Sequence, residues 1–377
     1  MPRTKMQELS ELGQSLWLDF INRPLLETGK LQKLIESGLR GMTSNPTIFN
    51  QSISLTQDYD DKIVKWKEAG KSTFEIYDEL TIQDIQEACD IFRSVYESTR
   101  KLDGFVSLEI NPKLAHDTLA SIAEGLRLFE RVDRPNVMIK VPATDAGFPV
   151  IEELIANAVN VNVTLIFSLK QYERTVESYF RGLKRLLKIK KDLGGVRSVA
   201  SVFVSRIDTM VDKMLEERAT AQSDLRIKLD PLKGQAAVAN CRLIYEEFKE
   251  QFQSETFKEL FQNRANEQRV LWGSTGTKNS NYSDIKYITE LIAKPTVNTV
   301  PEKTLEAFLD HGILAGALDG DVSQAKAVLQ ALAQYQIDIN QVCAQLLVEG
   351  VALFEKSFDE LLASIEQKAN RLSMTGK

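Results

Sequence analysis

The chain has 377 residues, 43% hydrophobic and 27% charged, enough for a large core in one barrel or two medium domains. Its 47 Lys and Arg against 53 Asp and Glu leave a net charge of −6 with no basic block, which argues against nucleic acid as a partner. No apolar run approaches the length of a membrane span, and the start MPRTKMQELSELGQ reads as a polar helix and not a signal peptide, so no membrane partner and a cytoplasmic protein are expected.

Short apolar segments alternate with longer amphipathic ones. The first strand candidate is 15–20 (SLWLDF), with Asp19 near its end. A weak one follows at 41–45 (GMTSN), closed by Asn45. The next is 104–110 (GFVSLEI), with Glu109 near its end. Lys140 interrupts 137–143 (VMIKVPA). Asn162 opens 162–167 (NVTLIF), and Thr164 follows. Ser201 lies in 199–204 (VASVFV), and Arg206 comes two positions after it. The last candidates are 269–274 (RVLWGS) and 294–300 (KPTVNTV). Most are rich in Val, Ile, Leu and Phe, as strands buried on both faces should be.

Helical patterns lie between them. In 113–130, Leu114, Thr118, Ile122, Leu126 and Phe129 fall on one face. Another pattern runs over 169–190. About eight strands with helices between them predict an α/β fold, a (β/α)8 TIM barrel. An open doubly wound sheet is the competitor, but no GxGxxG follows the first strand. A plain barrel takes about 250 residues. The surplus is assigned to helical insertions at 46–103 and 207–268 and to a C-terminal helical extension, 302–377, packed back on the barrel. No linker composition marks a boundary, so one domain over 1–377 is expected.

The scarce residue types narrow the chemistry. The two histidines, His116 and His311, have no metal-type ligand at helical spacing. The three cysteines, Cys89, Cys241 and Cys343, form no CxxC pair and suit a reducing compartment. Proton transfer is left to Asp, Glu, Lys or bound water, and neither metal nor cofactor is expected.

The recurring anomaly is a polar residue near the end of an apolar strand. Barrel strand ends meet at one face, where active sites lie. Each residue has a plain reading alone. Lys140 could snorkel, Glu109 could face a helix N-terminus, Asp19 could cap the next segment, and Asn45-Pro46 is a turn signal. Ser201 and Thr164 fit any strand. Together they are what imine chemistry needs. A lysine amine kept from water attacks a ketone, one carboxylate moves protons through a water, and a second takes a hydroxyl proton as a C–C bond breaks. Amides and Ser201 bind sugar hydroxyls. Arg206 and Lys278, the latter in the Gly-rich loop GSTGTKN at 273–279, complete the site as phosphate ligands, although a plain flexible loop reads equally well.

These segments, in this order, resemble the transaldolase family in its longer bacterial form. The matching stretches are LDF at 18–20, GMTSNPTIF at 41–49, VSLEINP at 106–112, VMIKVPAT at 137–144, VNVTLIFS at 161–168, VASVFVSRID at 199–208 and LWGSTGTKN at 271–279. The resemblance implies a transferase of the pentose phosphate pathway without cofactor. It would carry a dihydroxyacetone unit from sedoheptulose 7-phosphate or fructose 6-phosphate to glyceraldehyde 3-phosphate or erythrose 4-phosphate. It implies Lys140 as the Schiff-base lysine, Glu109 as acid/base through a water, and Thr164 as the hydroxyl holding that water. It implies Asp19 as base in C–C cleavage and Asn45, Asn162 and Ser201 as ligands of the dihydroxyacetone unit. It implies Phe203 as a site-lining aromatic and Arg206 as a phosphate ligand. Shorter family members carry an Arg where Lys278 is nearest here, and a lysine lacks its bidentate fork. Ser205 stands where Gly is common. The partners implied are sugar phosphates, with the chain a monomer or homodimer. A lysine aldolase that releases free dihydroxyacetone needs the same residues and stays open. So does a non-catalytic sugar-phosphate binder using 302–377 as an interaction surface.

Overall fold

The computed structural model describes residues 3–318 and 320–375. The outermost residues of the N-terminal helical reading and of the 302–377 tail, and position 319, lie outside the described residues. Eight parallel strands close into a barrel in chain order. They are β1 Gln14–Asp19, β2 Gly41–Thr43, β3 Val106–Glu109, β4 Val137–Pro142, β5 Val161–Ile166, β6 Ser198–Phe203, β7 Arg269–Gly273 and β8 Thr296–Val300. Every strand read from the apolar runs is present. The expected 41–45 strand stops at Thr43, because Asn45 leaves it to cap the helix Pro46–Ser54, accepting from Ile48 N at 3.0 Å.

One helix corrects its expected face. The 113–130 pattern begins as a single 3-10 turn, Pro112–Leu114, and the α-helix is Thr118–Val132, capped by Asp117. Its buried residues are Ser121, Gly125, Leu128 and Val132, while Ile122, Leu126 and Phe129 are only half-buried. Gly125 explains the rotation: a Cβ there would lie 2.8 Å from the Leu154 side chain. Small residues bring this helix close to the helix Gly147–Ala156, and hydrophobicity alone does not count them. The 169–190 pattern is the helix Leu169–Leu187, with Ser168 and Gln171 forming a capping box.

Inside the barrel the side chains follow the period of two along each strand. Trp17, Phe105, Met138, Val199, Leu271 and Val297 form a buried apolar plug. Gly41 belongs to it because a Cβ there would sit 2.6 Å from the Trp17 ring. Two residues earlier on β1 and β7 the plug is closed by a buried polar knot. Arg269 pairs with Asp103 at 2.8 Å and donates to Ser15 Oγ at 3.0 Å. Two residues later on six of the strands the interior turns polar, with Asp19, Thr43, Ser107, Lys140, Ser201 and Thr299, while β7 has Gly273 at that level. These polar side chains therefore stand on a buried apolar floor toward the C-terminal end of the barrel.

The insertions lie where expected, the first between β2 and β3 and the second between β6 and β7. The tail ends in a long helix, Ile339–Thr375, laid across the C-terminal face of the barrel. Cys343 Sγ donates to the Phe167 carbonyl just after β5, Ser357 and Thr47 share a hydrogen bond of 2.9 Å after β2, and Asp359 pairs with Lys113 after β3. Phe354, Phe358 and Leu361 join the same buried cluster as the outer faces of the strands.

Candidate active site

Lys140 is the fourth residue of β4 and is buried at 4% exposure. Its neighbours Ile139 and Val141 point out into the helix-covered core, which turns its own side chain into the barrel. Nζ donates to the Ser44 carbonyl at 3.0 Å and lies 3.5 Å from Glu109 Oε2. The β3–β4 register sets Glu109 directly beside it. Burial pushes the Glu109 carboxyl up to about 6; Lys140 opposes the rise and Asp19 adds to it. Asp19 ends β1 and accepts from Thr43 Oγ1 at 2.6 Å. Burial raises its pKa as well, against the pull of Lys140, the Thr43 hydrogen bond and Lys278. Thr43 in turn shares a hydrogen bond of 2.7 Å with Thr299.

Next to the amine runs a chain of neutral polar groups. Asn162 Nδ2 donates to Ser107 Oγ at 2.9 Å, and Ser201 Oγ donates to Asn162 Oδ1 at 2.6 Å. Asn162 is only the second residue of β5, yet its register partner is Lys140. The stagger of tilted barrel strands brings an early residue of one strand level with a late residue of its neighbour. The expected set is thus a layer inside the mouth, not a row of strand tips. Two buried oxygens beside it, Glu109 Oε2 and Thr164 Oγ1, have no protein hydrogen-bond partner. Buried polar atoms of this kind are suited to hydrogen-bond a water or a substrate oxygen. Thr164 lies in a bulge of β5 together with Leu165, which takes a φ of +57°.

Phe203 ends β6 and meets Phe167 edge-on, with ring centroids 5.5 Å apart. The Arg206 guanidinium stands 5.6 Å over the Phe203 ring. Arg206 lies in the first turn of the helix Ser205–Ala221, whose N-terminus has no side-chain cap. A half-buried guanidinium at an uncapped helix start is suited to an anion. Ser205 ties this turn to the loop after β7, its N–H donating to the Ser274 carbonyl at 3.1 Å.

The structure brings Lys140, Glu109, Asp19, Thr164, Asn162 and Ser201 together, with Phe203 and Arg206 on one side. Asn45 is half-buried and commits its side-chain oxygen to the helix cap. Lys278 stands apart. It is exposed, and it lines a cavity of about 370 Å³ with Asp208, Asp212, Lys213, Lys233 and Tyr282. Its charge still reaches Asp19. Sequence reasoning missed Thr43, Ser107, Thr299 and the Ser44 carbonyl. The signal for the first three was the period of two, since each lies two residues from another inward position.

The family model described as Transaldolase/Fructose-6-phosphate aldolase matches residues 16–365. The chain belongs to this family. It is 42% identical over 372 residues to Transaldolase 2 of Nostoc sp. strain PCC 7120, covering 97% of this chain and 98% of that one. It is 41% identical over 378 residues to a transaldolase of Trichodesmium erythraeum, covering 99% and 100%. A transaldolase of Saccharopolyspora erythraea shares 43% identity over 370 residues, 98% of each chain. The family match spans every residue assembled above and most of the long C-terminal helix.

Proposed function

We propose that the protein is a transaldolase that carries a dihydroxyacetone unit as an imine on Lys140. The donor is sedoheptulose 7-phosphate or fructose 6-phosphate, and the acceptor glyceraldehyde 3-phosphate or erythrose 4-phosphate. One observation carries the reading: a buried amine on β4 beside a carboxyl that burial holds at about 6. That carboxyl can both give and take a proton near neutral pH.

The Lys140 amine attacks the ketone carbon, and Glu109, through a water shared with Thr164, protonates the departing hydroxyl as water leaves. Asp19 takes the proton from the C4 hydroxyl of the ketose. The C3–C4 bond breaks, its electrons pass into the protonated imine, and the aldose leaves. The enamine left on Lys140 then attacks the acceptor aldehyde, and the same groups run in reverse. Asn162 and Ser201 orient the hydroxyls of the three-carbon unit, as Asn45 does from the mouth, and Arg206 holds the phosphate. The apolar plug beneath the site and the long helix above it limit water, which favours transfer over hydrolysis.

The test is borohydride trapping with fructose 6-phosphate, read by intact mass and peptide mapping, in the presence and absence of erythrose 4-phosphate. A three-carbon adduct on Lys140, absent in Lys140→Ala, and formation of sedoheptulose 7-phosphate with the acceptor are expected. A folded protein with no adduct on any lysine overturns the imine. An adduct with free dihydroxyacetone and no transfer product makes the chain an aldolase.

A further inference from the structure

The long C-terminal helix supplies none of the groups above, yet it carries a residue that helix physics does not explain. Gly350 lies in its interior, is buried, and has no positive φ. Glycine weakens a helix there, so its reason must be steric. A Cβ at this position would lie 3.0 Å from Leu165 Cδ2 and 3.6 Å from Arg206 Nη1. At this one point the helix backbone closes on the bulge of β5 and on the guanidinium after β6.

The consequence falls on Arg206. It rests on the ring of Phe203 and has no ion-pair partner among the described residues. Glu349, one residue before Gly350, acts on it through space, while its carboxylate accepts from Gln345 at 2.8 Å. The bare backbone at Gly350 adds neither bulk nor charge beside the guanidinium.

We propose that the C-terminal helix is the wall of the phosphate end of the site and that Gly350 is its specificity-determining position. The missing side chain lets the helix backbone close against Leu165 and the guanidinium, so any side chain here presses on the group that takes the substrate phosphate. This rests on the transaldolase reading, with Arg206 as phosphate ligand. The atoms a side chain would meet belong to Leu165 and Arg206 and not to Lys140, Glu109 or Asp19. Substitution therefore acts on phosphate recognition and leaves the imine chemistry in place.

Gly350→Ala, Gly350→Asn and Gly350→Asp would be assayed with erythrose 4-phosphate and with erythrose as acceptors. The acceptor kcat/KM in a two-step transfer reads the second half-reaction alone. Asn and Asp share a shape and differ in charge, so packing moves both equally and neutralisation of Arg206 moves only Asp. For erythrose 4-phosphate we expect losses of about 3-fold with Ala, about 10-fold with Asn and about 100-fold with Asp. For erythrose all three stay within about twofold of wild type. Equal losses in Asn and Asp, or losses in proportion on both acceptors, overturn the proposal. Ala, favoured by helix propensity, keeps the test open if the longer side chains do not fold, and a proportional loss in Ala also overturns it. A wild-type protein that transfers to neither acceptor refutes the transaldolase reading instead. Inorganic phosphate, titrated calorimetrically, then tests the wall by itself: weaker binding to Asp than to Asn supports it, and equal binding overturns it.

Discussion

Glu109→Gln exchanges a buried carboxyl for its neutral isostere and separates the cost of that carboxyl from its use. Burial holds the group at about 6, against 4.5 for a free glutamate, even with Lys140 alongside. The difference corresponds to about 2 kcal/mol. Its sign follows from proton binding. As pH rises from about 4.5 to about 6, the unfolded chain loses this proton first and the folded chain keeps it. Stability therefore falls across that window, and above it the ionised Glu109 costs the fold about 2 kcal/mol relative to its neutral form. Glutamine stays neutral throughout. Urea unfolding at pH 4 and pH 8 should show the variant gaining about 2 kcal/mol on wild type between the two. Imine trapping should follow the same proton. The wild-type rate falls through about pH 6 as the carboxyl that protonates the departing hydroxyl ionises, whereas the variant is slow and flat over the same range. A variant that loses ground to wild type between pH 4 and pH 8, or that keeps a limb near pH 6, refutes the assignment of the buried charge to Glu109.

Other outcomes follow from the same geometry. Lys278→Ala removes a positive charge that acts on Asp19 and should lower kcat/KM for phosphorylated acceptors by about 3–10-fold, with erythrose little affected; equal loss on both acceptors would remove Lys278 from phosphate recognition. Asp103→Asn leaves Arg269 buried without its carboxylate and should cost about 3–5 kcal/mol in unfolding experiments. The trapping rate per folded molecule should be unchanged, because the apolar plug separates this knot from Lys140. Gly41→Ala forces a methyl into the Trp17 ring and should cost about 1–3 kcal/mol, read by thermal unfolding.

Much of the molecule is legible along the chain. Eight apolar runs became eight strands in order, because strands buried on both faces must be apolar over their whole length. Lys140, Glu109 and Asp19 stood out because a charge inside such a run needs a reason. The helix Thr118–Val132 was read on the wrong face, since Ser121 and Gly125 bury through smallness and not through hydrophobicity. Thr43, Ser107 and Thr299 went unnoticed because hydroxyls are common in strands. Their inward orientation had to be counted in twos from a known inward residue.

The sequence by itself determined the fold class, the strand order and the residue types of the site. All three depend on local pattern: which side chains tolerate burial and at what period. The tertiary structure alone decided which residues meet. Strand stagger put Asn162 level with Lys140, and Lys278 was placed on the lining of a cavity with Asp208 and Tyr282. The C-terminal helix brought Gly350 against Leu165 and Arg206. Contacts between segments far apart in the chain are fixed by barrel closure and by how closely backbones can approach, and neither leaves a periodic trace in the sequence.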